Sequence, residues 1–407
     1  MACKITVGKP HGEVLNGEFV LSARISGAVN GKCFYSLPEM YRDWVDPERS
    51  DCFLVGLLYT AMYAGADLEI DGAVSEMLLF RVNTYAIPVL NGLEPKLRKI
   101  HVTAATSVEI YSDADVNGAG FSGGIDSFYT IWNRSSTETP ERFRINTLFF
   151  FNVGSHGMGV TPDRLTFLEE KFHARLNMLK SFAEEVQMPL VPVNSNLHSF
   201  HQTGHLQTSS LASISAALFM QKKIRNYYLG SPGSDYYTLI RTQETNNGEI
   251  ELVNDYLLPN LCTESFTAIA DGSDAARTKK TAEILAYEPV YRYLNVCGDQ
   301  ETIEKNCSVC TKCRRTMITL DLLGVLDKFS GVFDLTKYDR KARRRFAAEV
   351  LNCRNHDLFF EDIYKLSRQL RHDLRKDTDW GTRLYMAFTR TRLFGILRDW
   401  KRHRNNL

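Results

Sequence analysis

The sequence predicts an α/β protein built on a parallel sheet, and three observations carry that expectation. From Val116 onward, strand-like runs, a glycine turn and helix-like runs alternate, the grammar of βαβ units. Residues 146–153 are apolar and aromatic and stop at Gly154, as a strand buried on both faces should. The segment after them spaces Leu165, Leu168, Phe172, Leu176, Leu179, Phe182 and Val186 by three or four, which marks an amphipathic helix lying on that sheet.

Taken in order, residues 1–115 read as a mixed α+β domain with no catalytic pattern. It has β-like runs at 5–7, 19–25 and 33–36 and helix-like runs near 52–63 and 74–90. The α/β block then supplies four strands, one beginning at Val116 and the others at 146–153, 189–193 and 226–230. Between them lie a helix at 128–133, the amphipathic helix, and a segment at 211–220 that is apolar nearly all round and therefore a buried helix. Residues 314–326 and most of 338–405 read as arginine-rich helices. No repeat or low-complexity linker intervenes, so packed domains are expected at 1–115, 116–329 and 330–407.

A chain of 407 residues that is 44% hydrophobic has enough apolar material for real cores, which excludes a fibrous or disordered protein. The formal charge is only +1, yet residues 337–407 hold 19 Lys+Arg against 9 Asp+Glu, a net +10 that leaves −9 for the rest. No run approaches the roughly 18 apolar residues of a membrane span. The start, Met1-Ala-Cys-Lys-Ile-Thr-Val-Gly-Lys, lacks the apolar core of a signal peptide, so a soluble cytoplasmic protein is expected. Four of the nine cysteines crowd into 297–313, and in a reducing compartment such crowding points to metal before disulfides.

Chemistry concentrates first at Gly120-Phe121-Ser122-Gly123-Gly124-Ile125-Asp126-Ser127, where the first strand of the block should give way to a helix. Paired glycines turn the backbone tightly and aim successive N–H groups at one point, and the helix N-terminus adds partial positive charge. Ser122 and Ser127 can donate to phosphate oxygens, and Asp126 can hold a magnesium ion bridging them. The plain alternative, a capped turn, does not ask for all five fixed residues of Ser-Gly-Gly-x-Asp-Ser. The Lys-Ser/Thr ending of a Walker loop is missing, so γ-phosphate transfer is not implied.

The second concentration is Cys297-x9-Cys307-x2-Cys310-x2-Cys313. Four thiolates select zinc, or less readily an iron–sulfur cluster, and close a tetrahedral shell with no open position, so such zinc would be structural. Lys312, Arg314 and Arg315 are expected to offset the thiolate charge, while Cys3, Cys33, Cys52, Cys262 and Cys353 read as small hydrophobes.

Three weaker patterns remain. His198, His201 and His205 have a metal-compatible spacing without a carboxylate or cysteine companion, and are expected on a loop and helix start lining a nucleotide cleft. Residues 271–280 should begin a helix capped by Asp or Ser, and bring Arg277 or Lys279 to the β and γ phosphates as pyrophosphate leaves. The basic run 340–345 has the charge for nucleic acid but no interleaved stacking aromatics, which ranks that partner below a protein one.

Ser-Gly-Gly-Ile-Asp-Ser resembles the signature of the PP-loop ATP pyrophosphatase superfamily, whose fold is Rossmann-like, of the adenine nucleotide α-hydrolase kind. Its members cleave ATP between the α and β phosphates to adenylate a carboxylate or carbonyl oxygen; asparagine and NAD synthetases and tRNA thiolases are among them. With the cysteine tetrad behind the loop, residues 116–325 resemble the 7-cyano-7-deazaguanine synthase family. The resemblance implies ATP, Mg2+ and Zn2+ as cofactors, Ser122, Asp126, Arg277 and Lys279 as catalytic candidates, and 122–127 as the nucleotide-binding loop. It further implies a 7-carboxy-7-deazaguanine-like substrate, activated and then joined to a nitrogen nucleophile.

Two departures bear on the acceptor. Residues 1–115 and 330–407 have no counterpart in the stand-alone enzyme. Where that family carries Tyr-Pro-Asp-Cys-Arg, this chain has Gly230-Ser-Pro-Gly-Ser-Asp-Tyr-Tyr-Thr. The architecture resembles extended relatives in anti-phage operons, which implies a protein amine as an alternative to ammonia and a protein acceptor held by the two extensions. A tRNA-modifying PP-loop enzyme and a non-catalytic nucleotide-binding zinc-knuckle module are the competing readings.

Overall fold

The computed structural model describes residues 3–155, 162–242, 248–298 and 305–389, with side chains at 162, 164, 165 and 240–242 left aside. Contacts divide the chain into two compact units, Met1–Ser273 and Asp274–Leu407.

Unit 1 carries eleven strands in one mixed, mostly parallel sheet. They are β1 (Lys4–Val7), β2 (His11–Leu15), β3 (Glu18–Gly27), β4 (Gly31–Pro38), β5 (Asp67–Ser75), β6 (Val102–Ser107), β7 (Val116–Gly120), β8 (Thr147–Asn152), β9 (Leu190–Ser195), β10 (Ile224–Gly230) and β11 (Thr267–Asp271). Their order is β11-β10-β7-β8-β9-β4-β3-β1-β5-β6, with β2 on β3. The five strands β7 to β11 are all parallel. Numbered within themselves they run 3-2-1-4-5, the doubly wound arrangement whose direction of winding reverses between β7 and β10.

The expected boundary at 115/116 runs through this continuous sheet. Strand β4 pairs antiparallel with β9 at Tyr35↔Ser195 and Ser36↔Asn194, and Asn196 fastens the junction by accepting from Phe34 N and donating to Lys32 O. An exposed edge on β9 would template aggregation, and the N-terminal strands cover it. Sequence reading omits β2, β5, β6 and β11. The last, Thr-Ala-Ile-Ala-Asp, is a short edge strand with only partial burial and so carries little hydrophobic periodicity.

Helices close both faces: α1 (Asp51–Ala64), α2 (Ile125–Arg134), α3 (Pro162–Glu185) and α4 (His205–Leu218). Strand β8, Thr-Leu-Phe-Phe-Phe-Asn, is buried throughout, as its unbroken apolar run requires. On one face Phe121, Phe128 and Phe182 form a ring cluster with centroids 4.5–5.2 Å apart, joining the end of β7 to α2 and α3. On the other, Phe149 and Phe151 pack on Tyr227 of β10. Gly118 makes this possible, because a Cβ there would lie 2.0 Å from the Phe149 ring.

Unit 2 is helical: α5 (Arg277–Glu283), α6 (Thr311–Leu322), α7 (Arg340–Cys353), α8 (Leu358–Gln369) and α9 (Trp380–Phe388). Asp339, Asp357 and Asp379 cap α7, α8 and α9, each accepting backbone N–H bonds from the first turn. The expected helical stretch to residue 405 lies outside the described residues beyond 389. Among the described residues no helix is long and apolar enough to cross a membrane.

Candidate functional site

The glycine loop leaves the carboxyl end of β7 and enters α2 within four residues. Gly123 makes the turn at φ +77°, a left-handed conformation that costs a side-chain-bearing residue but not glycine. Gly124 is the cap residue of α2, and Phe128 N donates to Gly124 O at 3.0 Å as the first helical bond. The N–H groups of Ile125, Asp126 and Ser127 therefore precede the first intrahelical donor, Phe128 N, and point out of the helix end. Ser122 is exposed, Asp126 half-buried and Ser127 buried. The two hydroxyls lie 3.4 Å apart; Gly124 N donates to Ser122 Oγ, and Ser127 Oγ donates to Gly124 O.

This loop stands at the reversal point of the sheet, beside the carboxyl end of β10. Gly230, the last residue of β10, approaches so closely that a Cβ would sit 3.2 Å from Asp126 O. Open doubly wound sheets bind ligands in the crevice at this place. The divergent segment after Gly230 turns at Gly233, φ +80°, and Ser231 N donates to Asp271 O at the end of β11. Asp235 then caps a helix, Tyr236–Thr242, whose Tyr236 and Tyr237 are exposed. Beneath these elements Arg134 Nε donates to the buried Asp271 carboxylate at 2.6 Å, tying the last residue of α2 to the last of β11. The sequence expectation is a helix that begins within 271–280 behind an Asp or Ser cap. The helix begins at Arg277, with Ala276 in place of such a cap, because residue 271 ends a strand and Ser273 donates to Asp255.

His198 falls on a 3-10 turn, Leu197–Ser199, His201 on the loop after it and His205 on the first residue of α4, the loop and helix start expected for them. Burial lowers the His201 pKa to about 4, and its Nε2 lies 3.2 Å from Gly56 O. His198 and His205 meet Gly154, whose added Cβ would lie 3.3 and 3.4 Å from them, at the carboxyl end of β8.

The second site is the cysteine cluster of unit 2. The four Sγ atoms lie within 4.8 Å of one another, and Cys297, Cys307 and Cys313 are buried. Separations are 3.9 Å for Cys307 to Cys313 and 3.5 Å for Cys310 to Cys313, near the roughly 3.8 Å that tetrahedral bonds of about 2.3 Å impose. The cluster can hold a metal ion. Backbone N–H groups of Cys307, Cys310 and Cys313 donate to neighbouring sulfurs at 3.2–3.5 Å, which favours thiolates. The hydrogen bond between Cys310 and Cys313 draws the Cys310 thiol down and pushes Cys313 up.

Asn306, which sequence reading did not single out, holds the knuckle closed. Buried, it accepts from Val296 N at 2.8 Å and donates to Leu294 O and Val332 O, binding both cysteine segments to the chain beyond them. Ser308 completes the turn at φ +61° and accepts from Asp334 N. Of the flanking cations, Arg315 feels the Cys310 charge, and both arginines also have carboxylate partners. Arg314 makes a two-pronged pair with buried Glu349, and Arg315 pairs with Asp357 and stacks on Phe359 at 4.3 Å, since helical geometry turns both toward α7 and α8.

Arg277 and Lys279 lie on α5, within unit 2. Arg277 stacks on the same Phe359 ring at 4.8 Å, and Lys279 pairs with Glu283 at 3.7 Å on an exposed face. Burial first, with repulsion from Arg277 adding to it, lowers the Arg315 pKa against the pull of Asp357. Comparison with known proteins finds no matching family model, curated protein or solved structure.

Proposed function

We propose that this chain is an ATP-dependent C–N ligase or synthase of the PP-loop type, forming AMP and pyrophosphate. The observation that carries the reading is the placement of Ser122–Ser127 at the carboxyl end of the central strand, where the winding of the 3-2-1-4-5 sheet reverses. Outward N–H groups, two hydroxyls and one carboxylate there fit a pyrophosphate and its magnesium. Asp126 would hold Mg2+, which supplies charge neutralisation to the departing phosphates. Ser122, Ser127 and the N–H groups of α2 bind phosphate oxygens and keep them in line.

In the first step a substrate carboxylate oxygen attacks the α-phosphorus, the α–β bridging bond breaks and pyrophosphate leaves. A nitrogen nucleophile, ammonia or a protein amine, then attacks the acyl carbon, loses its proton and expels AMP. The substrate class is a 7-carboxy-7-deazaguanine-like acid, read from the family resemblance. Zinc on Cys297, Cys307, Cys310 and Cys313 is assigned as a structural cross-link of unit 2.

The test is isotopic. With an 18O-labelled substrate carboxylate, one labelled oxygen should leave in AMP for each product formed. AMP without label would show that no acyl adenylate forms and would overturn the reading.

A further inference from the structure

In sequence, the basic run of α7 has the charge for nucleic acid but no interleaved aromatic residue. The fold of unit 2 supplies one from another helix. The first turns of α7 and α9 flank an open groove of about 750 Å³ lined by Arg340, Lys341, Arg344, Arg345 and Tyr385. The Tyr385 ring is half exposed, and the Arg345 guanidinium lies 5.9 Å from its centroid.

Charge in the groove is weighted to one sign. Arg343, on the same helix, is turned away into ion pairs with Asp321 and Asp377. Two carboxylates border the groove, Asp339 and Asp379, and both are occupied as helix caps. Asp339 accepts from Ala342 N, and Asp379 from Thr382 N and Oγ1 and from Arg344 at 3.2 Å. The bonds from Thr382 also hold the Asp379 pKa below its usual value. Arg340, Lys341 and Arg345 have no carboxylate partner among the described residues. In sequence, the residues after 389 add Arg390, Arg392, Arg398, Lys401, Arg402 and Arg404 against one Asp399.

We propose that this groove binds single-stranded nucleic acid. Guanidinium forks match phosphate oxygens, and a half-exposed tyrosine beside an arginine is a platform on which an unpaired base stacks. An acidic peptide would use the cations but leave the ring without a flat partner, and a duplex keeps its bases stacked away from it. The proposal stands apart from the ATP reading, since it uses neither the glycine loop nor the cysteine cluster.

The experiment is fluorescence anisotropy of the full chain with labelled oligouridylate and oligothymidylate of about 20 nucleotides, across a salt series. Saturable binding that weakens with salt is expected for at least one strand, and the stronger of the two separates RNA from DNA. Arg340→Ala with Arg345→Ala should flatten the slope of log affinity against log salt by about 1.4, about 0.7 per lost phosphate contact. Tyr385→Ala should weaken binding roughly tenfold without changing that slope, and Tyr385→Phe should retain it. Far-ultraviolet circular dichroism and metal content identical to wild type certify the variants' fold.

Absence of saturable binding to either strand would overturn the proposal, as would binding indifferent to the arginine variants. Polyglutamate competing as well as oligonucleotide, with Tyr385→Ala silent, would overturn it in favour of an acidic protein partner. Oligonucleotide binding by a chain that releases no pyrophosphate would leave this proposal standing and sink the ATP reading alone.

Discussion

The glycine loop of unit 1 and the cysteine knuckle of unit 2 are both short, local motifs, yet they are held in opposite ways. The loop is backbone geometry imposed by its surroundings: β7 delivers it, Gly123 turns it, and the Phe121–Phe128–Phe182 cluster locks the strand and helix on either side. Its candidate side chains, Ser122 and Asp126, are exposed or half-buried. Among the described residues no strand delivers the knuckle. Its order comes from thiols gathered around one point and from Asn306, so the groups that would bind metal are also the groups that hold the unit together. Removing a functional side chain should therefore separate activity from folding in unit 1 and fuse them in unit 2.

The sharpest way to break this contrast is Cys310→Ser. Binding free energy at a structural zinc site is folding free energy, on the order of 10 kcal/mol, so the variant should lose its metal and the cooperative melting of unit 2. Elemental analysis of wild type should find one zinc per chain. Wild-type protein that purifies metal-free and fully stable would end the assignment.

Asp126→Asn should act the other way, lowering pyrophosphate release on the order of a thousandfold through loss of several kcal/mol of metal-assisted stabilisation, with an unchanged melting temperature. Parallel melting and activity assays check both halves of that statement.

Asn306→Ala tests the knuckle without touching a sulfur. It strands Val296 N, Leu294 O and Val332 O in a buried place, which should cost about 3 kcal/mol and weaken metal affinity by roughly 10- to 100-fold. Chelator competition measures the second effect and denaturant melting the first.

The smallest effect at neutral pH belongs to His201. Its folded pKa of about 4 lies below the unfolded value near 6.5, so folding favours the neutral ring. Its contribution is present above pH 6.5 and is lost as pH falls toward 4, roughly 3 kcal/mol in all. His201→Gln keeps a donor for Gly56 O and should flatten the stability profile between those limits, measured by denaturant melts across pH, while changing little at pH 7.

Both motifs were legible in sequence because each is complete within one short stretch of chain, 122–127 and 297–313. Four strands of the parallel block were legible for a related reason, since unbroken apolar runs such as Thr147–Asn152 need no partner to be recognised. Long-range pairings were not. Nothing in Cys-Arg-Arg announces that Arg314 will reach Glu349, thirty-five residues on, or that Arg315 will share Phe359 with Arg277. Asn306 carries no periodicity, and its three partners come from segments that meet only when the knuckle closes. Tyr385 likewise joins the basic face of α7 through tertiary packing, which a scan along 340–345 does not see.

The proposed role of Ser122–Ser127 is to direct cleavage of ATP at the α phosphate. Product analysis after incubation with ATP, Mg2+ and 7-carboxy-7-deazaguanine, with and without an amine, for wild type and Asp126→Asn tests it. AMP and pyrophosphate in equal amounts are expected from wild type and about a thousandfold less of both from the variant; ADP and orthophosphate as the primary products would rule that role out.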